Sequence, residues 1–409
     1  MGEWKETEFG LVASDWKFIP SAEFCLRVTD GTHDSPKEQK TGKHLITSKH
    51  IKGKDVDFEN AYLISEEDFR KINERSKVDQ WDVIISMIGE YCGFSFVERN
   101  ETIDYAVKNV GLFKTGDKHK AYWLYYFLNS KIGRFILETN KSGTSQPYLT
   151  LGFLRELPIL YPSSDLEAKV IVEILSSIDD KIDLLHRQNK TLEQLAETLF
   201  RQWFVEPVRR GGEADESWEK TKIGKVLRTE LGGTPSTVIP EYWDGDVPWI
   251  NSGEINEFRI VKATRFITKL GLEKSNTRLM PKGTTVLAIT GATLGKISLL
   301  EIETCANQSV VGIIPNARIP REYVFLWVKN KIEDIIQNET GGAQPHINKN
   351  DVNETEIIIP PENLLKEKNK ILNEYFEKIS INTFQIRTLT QLRDTLLPKL
   401  MSGEVRVKI

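Results

Sequence analysis

The sequence predicts an α+β protein in which two mixed α/β regions are each followed by a long helix, and three observations carry that prediction. The first is a heptad written twice. Ile171, Leu175, Ile178, Ile182, Leu185, Asn189, Leu192, Ala196, Leu199 and Trp203 alternate steps of four and three, and Leu372, Tyr375, Ile379, Asn382, Ile386, Leu389, Arg393, Leu396 and Leu400 do the same. That stepping keeps one seam facing a partner helix, so helices over about 166–204 and 363–401 are expected to pack on each other. The second is an internal repeat: WKETEFG (4–10) matches WEKTKIG (218–224), SGTSQPYLT (142–150) matches TGGAQPHIN (340–348), and TLEQLAETLF (191–200) matches TLTQLRDTLL (388–397). The third is the drift of the offset, 214 residues for the first match and 197 for the last, which assigns variation to the globular parts and constancy to the helices.

Taken in order, WDVIISMIG (81–89) is an apolar, β-branched run ending in glycine, the pattern of a buried strand entering a turn, and GTTVLAITG (283–291) is its partner in the second half. Aromatic and aliphatic residues recur at helical spacing in 119–140 and 319–340, and such stripes are expected in the core. EPVRRGGEADES (206–217) reads as a linker between the halves.

At 409 residues the chain exceeds one core, and 39% hydrophobic with 28% charged residues is ordinary for a soluble globular protein. The net charge of −4 makes any nucleic-acid surface a local patch. Three separated cysteines, Cys25, Cys92 and Cys305, indicate buried thiols in a reducing compartment, and no run of 18 apolar residues or secretory leader is present, so a cytoplasmic protein is expected. The only Pro-Pro, Pro360–Pro361, is followed by Glu362, so the Asp/Asn-Pro-Pro-aromatic motif of an adenine methyltransferase is missing. GATLGK (291–296) is one residue short of a P-loop and has Ile297 where a magnesium-binding hydroxyl belongs, so it reads as a strand-ending turn. The six histidines show no metal-ligand spacing. No catalytic, cofactor-binding or metal-binding residue is assigned.

LFRQWFVEP (199–207), LLPKLMSGEVRV (396–407) and the duplicated Gly-Gln-Pro loops together resemble the specificity subunit of type I restriction-modification enzymes, across essentially the whole chain and in order. The resemblance implies two mixed α/β target recognition domains joined by two long antiparallel helices forming a coiled coil, with a pseudo-two-fold internal repeat. The expected division is 1–162 for the first recognition domain, 163–206 for the first helix, 207–362 for the second recognition domain and 363–409 for the second helix and tail. It further implies a non-catalytic chain that reads a bipartite double-stranded DNA site together with two methyltransferase subunits, which would hold AdoMet, and restriction/translocase subunits, with no membrane partner. A coiled-coil scaffold that binds proteins without reading DNA is the alternative.

Candidate DNA-binding residues follow from local charge. Lys43, Lys49, Lys52 and Lys54 lie in an acid-free stretch (41–54), and Lys262, Arg265, Lys274 and Arg278 lie in 261–282 against the single Glu273. Such cations suit phosphate contacts, although a solvated basic loop has the same composition; the resemblance favours the former. Lys141, Thr144 and Gln146 in one duplicated loop and Gln344, His346 and Lys349 in the other offer donors for a sequence-independent role, either a phosphate contact or the packing of the domain on its helix, where the loop serves as a positioning turn. Segments that do not match between halves supply candidate base readers, Thr32, His33, Thr234 and Ser236, although ordinary loop divergence leaves the same mismatch and is the more common cause of one. In an antiparallel helix pair Asn189 and Asn382 fall within about one turn of each other, and a polar seam pair can select register. Arg393 on the same seam either snorkels at its edge or marks a partner surface.

Overall fold

The computed structural model describes residues 3–209, 217–256, 258–337 and 347–407. The chain forms two compact units, one made of Met1–Lys181 with Leu389–Ile409 and the other of Ile182–Thr388. Each therefore combines one globular region with a stretch of both long helices, Asp165–Phe200 and Glu362–Ser402.

In the first unit the apolar run becomes strand Asp82–Ser86, buried along its whole length and flanked in an antiparallel sheet by Ser95–Val97 on one side and Val110–Lys114, then Arg27–Asp30, on the other. Lys43–Thr47 pairs parallel with Tyr105–Lys108 and antiparallel with Leu63–Ile64. The aromatic stripe forms helix Lys118–Asn129, started by the Asp117 side chain accepting from the Lys120 amide, and it buries Tyr122, Trp123, Tyr126 and Phe127 in the unit's main core. Glu167 meets Arg406 and Asp179 meets Arg393, so the two long helices run antiparallel where they cross this unit.

The second unit repeats the strand order of both main sheets. Arg228–Leu231, Val310–Ile314, Thr285–Ala288 and Ile297–Leu300 lie in the same antiparallel order, with Arg259–Ile260 added parallel at the edge. Trp243–Ile250 pairs parallel with Cys305–Ala306 and antiparallel with Arg265–Ile267. The GATLGK segment is a short turn, Gly291–Thr293, leading into strand Ile297–Leu300.

The topology corrects one sequence alignment. Glu219–Lys222 pairs with Glu356–Ile359 as Lys17–Pro20 pairs with Pro158–Tyr161, so the counterpart of Trp218 is Trp16, at an offset of 218 − 16 = 202, and not Trp4. Trp4–Thr7 instead forms a hairpin with Gly10–Ala13. A seven-residue similarity cannot distinguish two candidate copies, whereas strand pairing can.

The first long helix ends in a wider π turn over Arg201–Val205 just before Pro207, whose missing N–H and ring oppose a regular α turn there. Most of the expected seam is buried, but Phe200 and Phe376, one residue off the heptad positions, are also fully buried. Both helices must pack a globular region as well as each other, so their apolar stripes are broader than a two-helix seam. In the second unit that packing centres on Arg259. Its guanidinium lies between the Phe258 and Phe376 rings (4.9 and 4.6 Å), donates to Glu301 at 2.7 Å and caps the Phe376 carbonyl at 3.2 Å. Burial lowers its pKa to about 10, with Glu301 opposing the shift.

Candidate nucleic-acid interface

In the second unit the basic run folds around one small core of Trp243, Trp249, Ile267 and Cys305, against which Tyr242, Val247, Leu272 and Leu279 pack. The indole N–H of Trp243 donates to the Ser236 carbonyl (3.2 Å) and that of Trp249 to the Gly233 carbonyl (3.1 Å), which ties the segment carrying Thr234 and Ser236 to the same core. Gly233 has to be glycine: a Cβ there would sit 2.7 Å from the backbone of Asn276 and Thr277. Arg265 stacks over Trp243 with its guanidinium 4.0 Å from the ring centroid. Arg278 is exposed and donates to the Thr277 carbonyl, while Lys262 and Lys274 are exposed at the ends of neighbouring elements. The structure thus gathers Thr234, Ser236, Arg265, Lys274 and Arg278, which the sequence scatters over 45 positions, on segments that pack against two tryptophans, whereas Lys262 follows strand Arg259–Ile260 of the other sheet.

In the first unit a chain of hydrogen bonds joins the three candidate stretches. His33 Nδ1 lies 3.2 Å from Asn109 Oδ1, and the Ser48 hydroxyl donates to the Asn109 carbonyl and accepts from the amides of Met87 and Ile88. Ile88 bridges to Tyr148 and the Gly89 amide donates to the Pro147 carbonyl, so the duplicated loop with its exposed Thr144 and Gln146 is held at the same place as Lys49.

Several candidates sit differently from what their residue type suggested. Thr32 is buried at 8% exposure and its hydroxyl accepts from the Asp34 amide, so it shapes the turn instead of facing a base. His33 is exposed, yet both ring nitrogens are engaged, Nε2 lying 2.9 Å from Asp30 Oδ2, which itself pairs with Arg75. Lys43 pairs with Asp104 at 3.8 Å and Lys141 with Glu138 at 2.5 Å. Lys52 donates to Asp57 at 2.7 Å; this bond, with the Asn60 amide, draws the Asp57 carboxyl down to about 2 and raises Lys52. Lys54 lies in the hairpin turn between Ile51–Lys52 and Asp55–Val56. Gln344 and His346 fall outside the described residues; Lys349 opens helix Lys349–Glu354, capped by Asn348. Sequence reasoning missed Asn109 and Trp249. Asn109 carries a positive φ of 55°, which no local pattern signals, and Trp249 lies on a strand whose alternation is broken by a register shift.

On the long helices, within the second unit, Asn382 Nδ2 donates to Asn189 Oδ1 at 2.9 Å and Asn189 Nδ2 to the Thr383 hydroxyl at 3.3 Å. Asn382 is fully buried, and its own Oδ1 has no hydrogen-bond partner. Within the first unit Arg393 pairs with Asp179 at 2.9 Å and with Asp394, and Asp179 also accepts from the Tyr126 hydroxyl, so this cation is neutralised inside its own unit. Among the described residues no cluster of three or more His, Cys, Asp or Glu side chains is disposed to hold a metal, and no helix is long and apolar enough to cross a membrane.

The model of the type I restriction modification DNA specificity domain matches residues 15–194 and again 215–391. The chain belongs to this family. The two matches begin one residue before Trp16 and three before Trp218, close to the positions that strand pairing equates. The type I specificity chain is similar over nearly its full length to the MjaIX specificity subunit of Methanocaldococcus jannaschii, at 25% identity over 432 residues, covering 99% of this chain and 97% of the relative. It is also similar to the HindI specificity subunit of Haemophilus influenzae, at 24% identity, covering 66% of this chain and 73% of that one. Among solved structures, the S subunit of a type I restriction-modification system from M. genitalium superposes with a TM-score of 0.62 at 18% identity, covering 94% of this chain and 96% of that chain, a likeness of fold. A type I specificity chain is a DNA-recognition component and not an enzyme.

Proposed function

We propose that this chain reads a bipartite double-stranded DNA site, one half through each α/β region, and directs methyltransferase and restriction subunits to it. The observation that carries the reading is a duplicated topology bearing unlike surfaces: the strand order is the same in both regions, but the turn after Arg27–Asp30 carries His33 where that after Arg228–Leu231 carries Thr234, and the short turn Ser48–His50 carries Lys49 where Ser252–Glu254 carries Gly253. Two readers of different half-sites have to differ at the bases while sharing a scaffold. The exposed cations Lys49, Lys262, Lys274 and Arg278 supply phosphate contacts, and the duplicated loop with Thr144 and Gln146 supports a contact independent of sequence. The long helices set the spacing. A 36-residue helix is about 54 Å long, enough to separate half-sites by more than the roughly 34 Å of one DNA turn. Asn189 and Asn382 select the register of the pair. The complex comprises one copy of this chain, two methyltransferase subunits that hold AdoMet and two motor-nuclease subunits, acting in the cytoplasm.

The test is to express the chain with its methyltransferase partner and map methylated adenines across the host genome. A single split motif is expected, and exchanging residues 1–162 for another recognition domain changes one half of it. Methylation with no recurring motif, or an exchange that alters both halves, rejects the proposal.

A further inference from the structure

We propose that Arg265 reads a guanine in the half-site recognised by the second α/β region, as a base contact and not a phosphate contact. The inference rests on the DNA-reading function above and names the side chain that supplies one base of it. Arg265 lies directly opposite Trp249 in the antiparallel ladder, and opposed residues share a face of the sheet. A register shift sets both Trp243 and Val247 opposite Ile267, with Asp244 at φ 59° beside the irregularity. Such a bulge re-aims a side chain, and here the Trp243 ring ends up 4.0 Å and the Trp249 ring 5.5 Å from the guanidinium carbon.

Stacking grips a guanidinium by its flat face and leaves its edge, which carries the N–H donors, available to a ligand. A donor fork held in one plane matches O6 and N7 of guanine in the major groove, whereas a phosphate oxygen demands no preset plane. The platform is itself fixed, because the two indole N–H groups are committed to the Ser236 and Gly233 carbonyls. Arg265 is exposed and has no carboxylate partner among the described residues, unlike Lys43, Lys52 and Lys141. The counterpart strand of the first unit, Leu63–Ile64, carries no cation. That difference suits a residue that reads one half-site, since both halves meet phosphates but each meets its own bases.

The full chain is expressed with its methyltransferase partner, and methylated adenines are mapped for the parent and for Arg265→Ala, Arg265→Lys and Trp243→Leu. The parent motif is expected to carry a guanine in one half. Arg265→Ala relaxes that position alone, lowering discrimination against other bases by about ten- to a hundred-fold. Arg265→Lys keeps the charge but not the fork and relaxes the same position, and Trp243→Leu relaxes it through lost positioning. Should Arg265→Ala abolish methylation, Arg265→Lys decides. Unchanged guanine discrimination in Arg265→Lys, a uniform fall in methylation with the parent motif retained, or a parent motif without guanine at any position that these variants affect overturns the assignment. Absence of any motif in the parent rejects the DNA-reading function itself, so the two failures are distinct.

Discussion

Replacing Asn382 tests the helix pair most directly. Its amide donates to Asn189 at 2.9 Å and lies 3.4 Å from Gln188 Oε1, while its own carbonyl oxygen is buried without a partner. Asn382→Ala removes the donor of one amide hydrogen bond, a net loss of about 1 kcal/mol, and leaves the Asn189 oxygen in a site only 8% exposed, costing about 1–3 kcal/mol more. Asn382→Leu incurs the same penalty at Asn189 and, like alanine, sheds the orphaned carbonyl, but it fills the vacated space with apolar atoms, so it should cost about 1–2 kcal/mol less than alanine. The double change Asn189→Leu with Asn382→Leu leaves neither amide behind and is expected to match or exceed the parent in stability, by analogy with buried polar groups replaced by well-packed apolar ones. The coupling in that double-mutant cycle should be about 1–3 kcal/mol. Urea unfolding followed by tryptophan fluorescence at fixed protein concentration measures it. Additive single effects, with coupling below about 0.5 kcal/mol, would show that the two amides do not act as a pair.

Three further outcomes follow from the same packing. Burial pushes the Glu193 carboxyl up to about 7 from its usual 4.5, so the folded chain holds a proton there that the unfolded chain releases. Its contribution is neutral at acid pH and turns destabilising as pH rises from about 4.5 through 7; discounted for partial exposure, the effect is about 1–2 kcal/mol, and Glu193→Gln should flatten that part of the stability profile in melts at pH 5 and pH 8. Arg393→Ala leaves the buried Asp179 carboxylate, among the described residues, with only the Tyr126 hydroxyl and should cost about 2–4 kcal/mol, most of which Arg393→Met combined with Asp179→Leu recovers in the same unfolding assay. Cys25, Cys92 and Cys305 are buried, and burial raises their thiols to about 12, 11 and 11. A thiol reagent at pH 8 should leave all three untouched in the folded chain and label them in guanidinium; rapid labelling without denaturant would contradict the packing.

The candidate surface was legible in part. Charge runs at 41–54 and 261–282 could be read directly, because a stretch with few acids is visible in one dimension. Their availability was not. Lys43 meets Asp104, which lies 61 positions away, whereas Arg265 meets two indoles; nothing near either residue in the chain announces the difference. His33 is a similar case, since its ring is engaged by Asn109 from 76 positions downstream.

The sequence by itself determined the two long helices, the repeat, the buried strands Asp82–Ser86 and Thr285–Ala288 and the aromatic cores, because periodicity and β-branched runs act over a few residues and dictate which face is buried. Only the tertiary structure decided that Trp16 and not Trp4 is the counterpart of Trp218, that Thr32 is turned inward, and that Arg265 rests on Trp243. Those outcomes depend on strand register and on a bulge, through which residues remote in the chain become neighbours, and a one-residue change of register would have sent the same side chains to the opposite face.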